Sequence, residues 1–293
     1  MKKQIYIISL MLFTATIIIA QEGEFPELTG SYLGQEKPGL TPVIFAPGIV
    51  STDLHEFSIA ISPKGDEIFF TRMFENNHQS IMVTKLEDGK WTKPEPMPFA
   101  EEYPCFEPGF TPDGNKLYFN YWKPFDESKP PSCDIWYIER EGIDWSDPKN
   151  LDSPFNPGKA MYISVANSGT IYTTELANGF SEVYISRSKF NNGQNNDFER
   201  IGPPVSTGKN DMYPYIAPDE SFMLFSSGRL GKDIYNLFYT VPDDECGWQE
   251  PKLIDTGLDI NVQPFLTFDQ KYLFFTSKGD LYWVDAKIIE ELK

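Results

Sequence analysis

Gly109-Phe-Thr-Pro-Asp-Gly-Asn-Lys-Leu-Tyr-Phe119 runs from a hydrophobic strand through a tight turn into an aromatic strand. Pro presets the backbone at the second turn position, Asp bonds its own backbone, and Gly takes the left-handed conformation, so the tetrapeptide is a hairpin turn. The phrase recurs at a spacing of roughly 50 residues. An earlier copy is Ile59-Ala-Ile-Ser-Pro-Lys-Gly-Asp-Glu-Ile-Phe-Phe70. Later ones are Tyr215-Ile-Ala-Pro-Asp-Glu-Ser-Phe-Met-Leu-Phe225 and Phe265-Leu-Thr-Phe-Asp-Gln-Lys-Tyr-Leu-Phe-Phe275. A worn copy, Ser164-Val-Ala-Asn-Ser-Gly-Thr-Ile-Tyr172, has lost the Pro-Asp pair. A strand-built repeat of this period is the mark of an all-β chain, a β-propeller.

Each repeat resolves into four strands, the content of one antiparallel blade. A third strand opens with an acid and an aromatic: Asp134-Ile-Trp-Tyr, Glu182-Val-Tyr, Asp233-Ile-Tyr and Asp280-Leu-Tyr-Trp. A fourth strand is expected to start with Trp and Pro, as in Trp91-Thr-Lys-Pro94, Trp145-Ser-Asp-Pro148 and Trp248-Gln-Glu-Pro251. Trp there is expected to pack between blades. Proline suits an outer edge, where a ladder donor is dispensable. The fifth repeat stops after three strands. Ile44-Phe-Ala-Pro-Gly-Ile-Val-Ser-Thr52 matches Arg200-Ile-Gly-Pro-Pro-Val-Ser-Thr207, the fourth strand of the third repeat. Residues 42–52 are therefore expected to complete the last blade and close a five-bladed ring. This gives an export signal at residues 1–20, a surface leader at 21–39 and the propeller at 40–293.

The Ser/Thr-Pro-Asp-Gly turn, the aromatic strand after it, and the following Asp-Ile-Tyr or Asp-Ile-Trp resemble the WD40-like repeats of TolB-type propellers. The resemblance covers residues 55–285 and is weakest in the third repeat. It implies the fold more strongly than a function, because that family spans periplasmic binding proteins, surface proteins and the propeller domains of peptidases. The chain holds no stretch for the hydrolase domain that such peptidases add.

Lys2 and Lys3, the apolar run Ile5 to Ile19 and the small Ala20 read as a cleaved export signal rather than a stable membrane anchor. The expected localisation is periplasmic or secreted. The formal charge is −18 at pH 7. That surface argues against nucleic acid and anionic membrane as partners; it permits a cationic partner or a bound metal ion, and the plainer reading is a well-solvated secreted protein. Cys105, Cys133 and Cys246 fit no zinc spacing, and no metal or cofactor is expected. Cys105 and Cys133 fall on first and third strands of one blade, about 10 Å apart, whereas a disulfide needs Cα atoms within about 7 Å. A bond is expected only if the intervening loop bends inward, and Cys246 is expected to stay unpaired.

Propeller geometry selects a working face. The hairpins share one face, so first-strand starts and second-strand ends gather on the other, around the channel mouth. Alignment on the turn stacks Phe57, Glu107, Tyr162, Tyr213 and Gln263, with His55, Glu56 and Asp211 beside them. The second strands add Arg72, Glu175, Arg229 and Lys278. The long Pro-stiffened loop Tyr121 to Cys133 offers Tyr121, Trp122 and Phe125 to a ligand. These side chains are candidates for a binding mouth; the plainer reading is a solvated ring of ion pairs holding the blades in register. No Gly-x-Ser-x-Gly elbow or phosphate loop is present. The expectation is an exported interaction module that engages a protein, peptide or glycan outside the cytoplasm. The alternative is a glycan-active hydrolase or lyase using a carboxylate pair from Glu56, Glu107, Glu175 and Asp211.

Overall fold

Five hairpin turns close with one hydrogen bond in common. The amide of the fourth turn residue donates to the carbonyl of the first: Gly65 to Ser62, Gly114 to Thr111, Gly169 to Ala166, Glu220 to Ala217 and Gln270 to Thr267, at 2.7–2.9 Å. The fourth residue has φ between +56° and +82° in all five, which explains the glycines of the first three repeats. The computed structural model describes residues 25–124, 132–178, 181–231, 234–244 and 247–292. The expected export signal, Phe125 and Cys246 lie outside the described residues.

The first blade is built from His55–Ile61, Glu67–Met73, Gln79–Glu87 and Glu95–Pro96. The second has Cys105–Phe110, Lys116–Tyr121, Asp134–Glu141 and Lys149–Asn150. The third has Ala160–Val165, Ile171–Ala177, Glu182–Ser188 and Glu199–Arg200, and the fourth Met212–Ile216, Met223–Ser227, Asn236–Thr240 and Lys252–Ile254. Val262–Leu266, Tyr272–Ser277 and Asp280–Asp285 form the fifth, with Val43–Ile44 as its outer strand. The innermost strands pack against one another around a closed ring of five.

The N-terminal segment completes the last blade as expected, although of residues 42–52 only Val43–Ile44 forms the strand. Val43 pairs Trp283, Ile44 pairs Tyr282, and the Phe45 amide donates to the Leu281 carbonyl at 2.8 Å. Phe45 is wholly buried, edge-on to Phe274 and Trp283. The leader is held more firmly than a surface segment. Leu33 is buried, and Tyr32 wedges between Tyr272 and Trp283. Trp91 donates from its backbone to Leu28 and from its indole to Gly30, so the leader straps the first blade to the fifth.

The tryptophans lie between blades but not where the sequence placed them. Trp91, Trp145 and Trp248 sit on short arms that fold back from the third strand or its extension, and the outer strand begins beyond the proline. Trp145 packs on Phe69 and Phe110, and its indole donates to Glu67. Arg140 lies over the Trp145 ring at 3.8 Å and grips the same carboxylate from both guanidinium ends, latching the first blade to the second.

Every inner strand carries a bulge whose extra residue has positive φ: Ser58, Glu107, Tyr162, Tyr213 and Gln263. Each lies seven positions before the fourth turn residue. The equivalent in the first blade is thus Ser58 and not Phe57, which corrects the alignment by one. The bulge amides leave their own ladder and donate to the preceding blade. Ser58 donates to Thr276, Glu107 to Thr71, Tyr162 to Asn120, Tyr213 to Thr174 and Gln263 to Ser226, at 2.8–3.2 Å. Five such bonds stitch the ring at one level. Gly109 serves the same packing, since a Cβ there would meet the Ile163 carbonyl at 2.5 Å.

Candidate functional site: the channel mouth

The bulges sort the mouth into two layers. Immediately before them stand Phe57, Phe106, Met161, Met212 and Val262. Each pairs directly with the residue that receives the next blade's bulge amide: Thr71, Asn120, Thr174, Ser226 and Thr276. Directly opposed residues share a face of the sheet. The five apolar side chains therefore turn the same way around the axis, each toward the next blade. The rings of Phe57 and Phe106, on neighbouring blades, lie 6.5 Å apart. Phe106 is 9% exposed, and the other four are half-buried. An apolar ring thus rims the channel.

The bulge residues form the layer beneath. Ser58, Glu107, Tyr162 and Gln263 are buried and Tyr213 is half-buried. Gln263 Nε2 donates to Glu107 Oε1 at 2.8 Å, bridging the fifth blade to the second, and the Tyr162 hydroxyl donates to the Pro264 carbonyl at 2.8 Å. Both bonds join blades that are not neighbours, so they cross the channel and close it here. The Thr276 hydroxyl donates to Gln263 Oε1, which fixes the amide's orientation. The rings of Tyr162 and Tyr213 meet edge to face at 5.3 Å. Glu107 Oε2 and Ser58 Oγ are buried without a hydrogen-bond partner. Burial pushes the Glu107 carboxyl up to about 8, against the opposing pull of the Gln263 and Tyr162 donors. At neutral pH it is mostly protonated.

The remaining expected residues have other duties. Arg72 donates from Nε to Glu56 at 2.6 Å and from Nη2 to the carbonyls of Ile49 and Val50. Arg229 repeats the device with Asp211 and the carbonyls of Pro204 and Val205. Thr52 and Thr207 complete the two sites, bonding Glu56 and Asp211 through amide and hydroxyl. Each set pins the segment that leads from an outer strand into the next inner strand, which is the register-holding role. Glu175 turns outward to Arg200 and Ser186 within its own blade. Lys278 pairs with exposed Asp259. Tyr121 is packed against Phe99 and Trp136, its hydroxyl on the Phe99 carbonyl. Trp122 is half-buried, and His55 is exposed with its ring edge-on to Phe57. Among the expected residues, Glu107, Tyr162, Tyr213 and Gln263 come together on the axis.

Sequence reading reached Phe57 but passed over the other four members of the apolar ring and the five side chains that receive the bulge amides. Both sets recur at fixed offsets from the turn. They were legible as a column of apolar residues one position before the polar one, once Ser58 heads that column. Cys105 and Cys133 are free and buried, as the strand spacing predicts. Among the described residues no group of three His, Cys, Asp or Glu is placed to hold a metal.

The fold has counterparts among solved structures. TolB from Acinetobacter baumannii superposes with a TM-score of 0.52 at 15% identity, over 81% of this chain and 53% of that one. A protein assigned as TolB in Agrobacterium tumefaciens gives 0.50 at 14% identity, over 75% of this chain and 69% of that one. The chain thus spans about half the length of the Acinetobacter protein. At such identities the likeness is one of fold. No protein-family model matches the sequence, and no curated protein does. The fold and the site together define a five-bladed propeller with an apolar-rimmed mouth closed by cross-channel hydrogen bonds.

Proposed function

We propose that this protein is an exported interaction module whose channel mouth engages a polypeptide outside the cytoplasm. The observation that carries the reading is the ring of Phe57, Phe106, Met161, Met212 and Val262, four of them half-buried beside the more deeply set Phe106, on a chain of net charge −18. Half-open apolar side chains supply area that a partner's side chain covers. Export rests on the basic and apolar start of the chain. Within the described residues no helix is long and apolar enough to cross a membrane. The TolB-like fold is consistent with a protein-binding role.

The hydrolase alternative needs two acids across the channel, roughly 5–10 Å apart. Glu56, Glu175 and Asp211 each face an arginine, which leaves Glu107 without a second acid from the proposed set. The test is a panel of synthetic peptides followed by fluorescence anisotropy. Met161→Ser and Met212→Ser are expected to weaken the best peptide about tenfold each, equivalent to about 1.4 kcal/mol. Asp113→Ala, on the hairpin face, leaves it unchanged. Equal affinities for all three variants overturn the reading.

A further inference from the structure

We propose that the mouth is a lysine-side-chain pocket: a primary ammonium on an apolar stem passes the ring and delivers its charge to Glu107. The proposal rests on the mouth reading above and names the chemistry of the group that enters.

The two layers make complementary demands. The upper ring offers methionine, phenylalanine and valine side chains and no hydrogen-bonding group. A sugar entering there would lose water from its hydroxyls without replacement, at a cost for every unpaired group. The lower layer offers acceptors. Glu107 is 3% exposed and its Oε2 has no partner. Ser58, on the adjacent blade at the same level, is 1% exposed and its Oγ is also unpartnered. Gln263 cannot turn to satisfy Oε2, because Thr276 fixes its oxygen and its nitrogen already serves Oε1.

A dry carboxyl with one open oxygen beneath an apolar collar is matched by few side chains. A carboxylate would be repelled. A divalent metal asks for more oxygen ligands than the layer provides, and no metal-holding cluster stands among the described residues. Lysine has a four-carbon stem that lies along apolar surface and a compact head with three donors. Those donors match the acceptor that Glu107 Oε2 leaves open. The net charge of −18 favours the approach of a basic segment.

Proton balance follows from the neighbours. The titratable groups that act on Glu107 or feel it are the Tyr162 and Tyr213 hydroxyls and the Cys133 thiol, all held well above their ordinary values by burial. They stay neutral, so one ammonium entering displaces one proton, from the Glu107 carboxyl to solvent. Binding is therefore expected to tighten with pH up to about 8, where Glu107 ionises unaided.

The probes are N-acetyl-lysine-methylamide and its norleucine counterpart, equal in stem and lacking the ammonium, titrated into the full chain by calorimetry. The lysine probe is expected to bind at least tenfold more tightly than the norleucine probe. At pH 7 it should release close to one proton, read from buffers of different ionisation heat. Its affinity should rise up to about tenfold per pH unit between 6 and 8, and the norleucine probe should show no such rise. Glu107→Gln is neutral and nearly isosteric with the protonated acid. It is expected to abolish the preference for lysine while circular dichroism stays unchanged. Equal binding of the two probes, tighter calcium than lysine binding, or a lysine preference that survives in Glu107→Gln each overturns the proposal. If the lysine probe fails while peptide binding still depends on Met161 and Met212, the pocket assignment falls and the mouth reading stands. If peptide binding ignores the mouth, both fall.

Discussion

Glu107 takes positive φ in a bulge, and that backbone choice sets its chemistry. The bulge aims its side chain across the axis to Gln263, where burial raises its carboxyl to about 8 from 4.5. The consequence for stability has a definite sign. Below pH about 4.5 folded and unfolded chains both hold the proton. Between about 4.5 and 8 only the unfolded chain releases it, so stability falls as pH rises, and the loss is complete above about 8. Glu107→Gln lacks this dependence. Urea titrations should show its advantage over the native chain growing from pH 5 to pH 9, reaching a few kcal/mol. A constant difference across that range would contradict the assignment. The cysteines give a second test at this scale. Cys105 and Cys133 are buried, and burial pushes both thiols up to about 12. Thiolate is the reactive form. Iodoacetamide at pH 8 should leave both unlabelled in the folded chain and label both after guanidinium unfolding without reductant, as read by mass spectrometry.

The blades are elements held to one another by two devices of different strength. The Thr174 hydroxyl accepts the Tyr213 amide at 2.8 Å, and a valine of the same shape offers no acceptor in its place. Thr174→Val should cost about 1–3 kcal/mol, the penalty of leaving a covered amide unpaired. Arg229→Met removes the cation from Asp211, whose side chain is wholly buried, and frees two loop carbonyls. It should cost about 3 kcal/mol or more, and the urea midpoint should rank wild type above Thr174→Val above Arg229→Met. Equal midpoints for the two variants would mean that the ion pair adds nothing beyond a hydrogen bond. These devices also mark where sequence reading stopped. The hairpin turns were legible because Pro, Asp and Gly encode their own dihedrals. The match of Val50 to Thr52 with Val205 to Thr207 was legible because the two segments do the same job under equivalent arginines, Arg72 and Arg229. The bulges were not, since Ser, Glu, Tyr and Gln carry no local preference for positive φ. There the conformation is imposed by a hydrogen bond to the neighbouring blade, which no single repeat contains. The arms bearing Trp91, Trp145 and Trp248 were read as outer strands for a related reason: strand pattern alone does not say which partner a short strand finds.

At the scale of the molecule the question is how a ring made of one chain stays shut. The fifth blade takes its outer strand from Val43–Ile44, far in sequence from Asp280–Asp285, so the first and last blades cannot part without breaking that pairing. The leader adds a second closure beyond the expected one. Tyr32 and Leu33 hold φ of +54° and +58°, an uncommon conformation for such side chains, and in return they bury rings and branches against Tyr272, Phe274 and Trp283. The main-chain and indole bonds of Trp91 to Leu28 and Gly30 tie the same strap to the first blade. The two closures predict graded behaviour. Tyr32→Ala with Leu33→Ala should loosen the strap yet leave the strand pairing, costing about 2–5 kcal/mol of stability with no change in the state of assembly. Removing residues 25–52 should take away the strand as well and bare the edge of Asp280–Asp285, whose unpaired backbone groups recruit other chains. Light scattering and thermal unfolding of the two variants separate these effects. A deletion variant that keeps the wild-type scattering and midpoint would show that the ring holds without either closure.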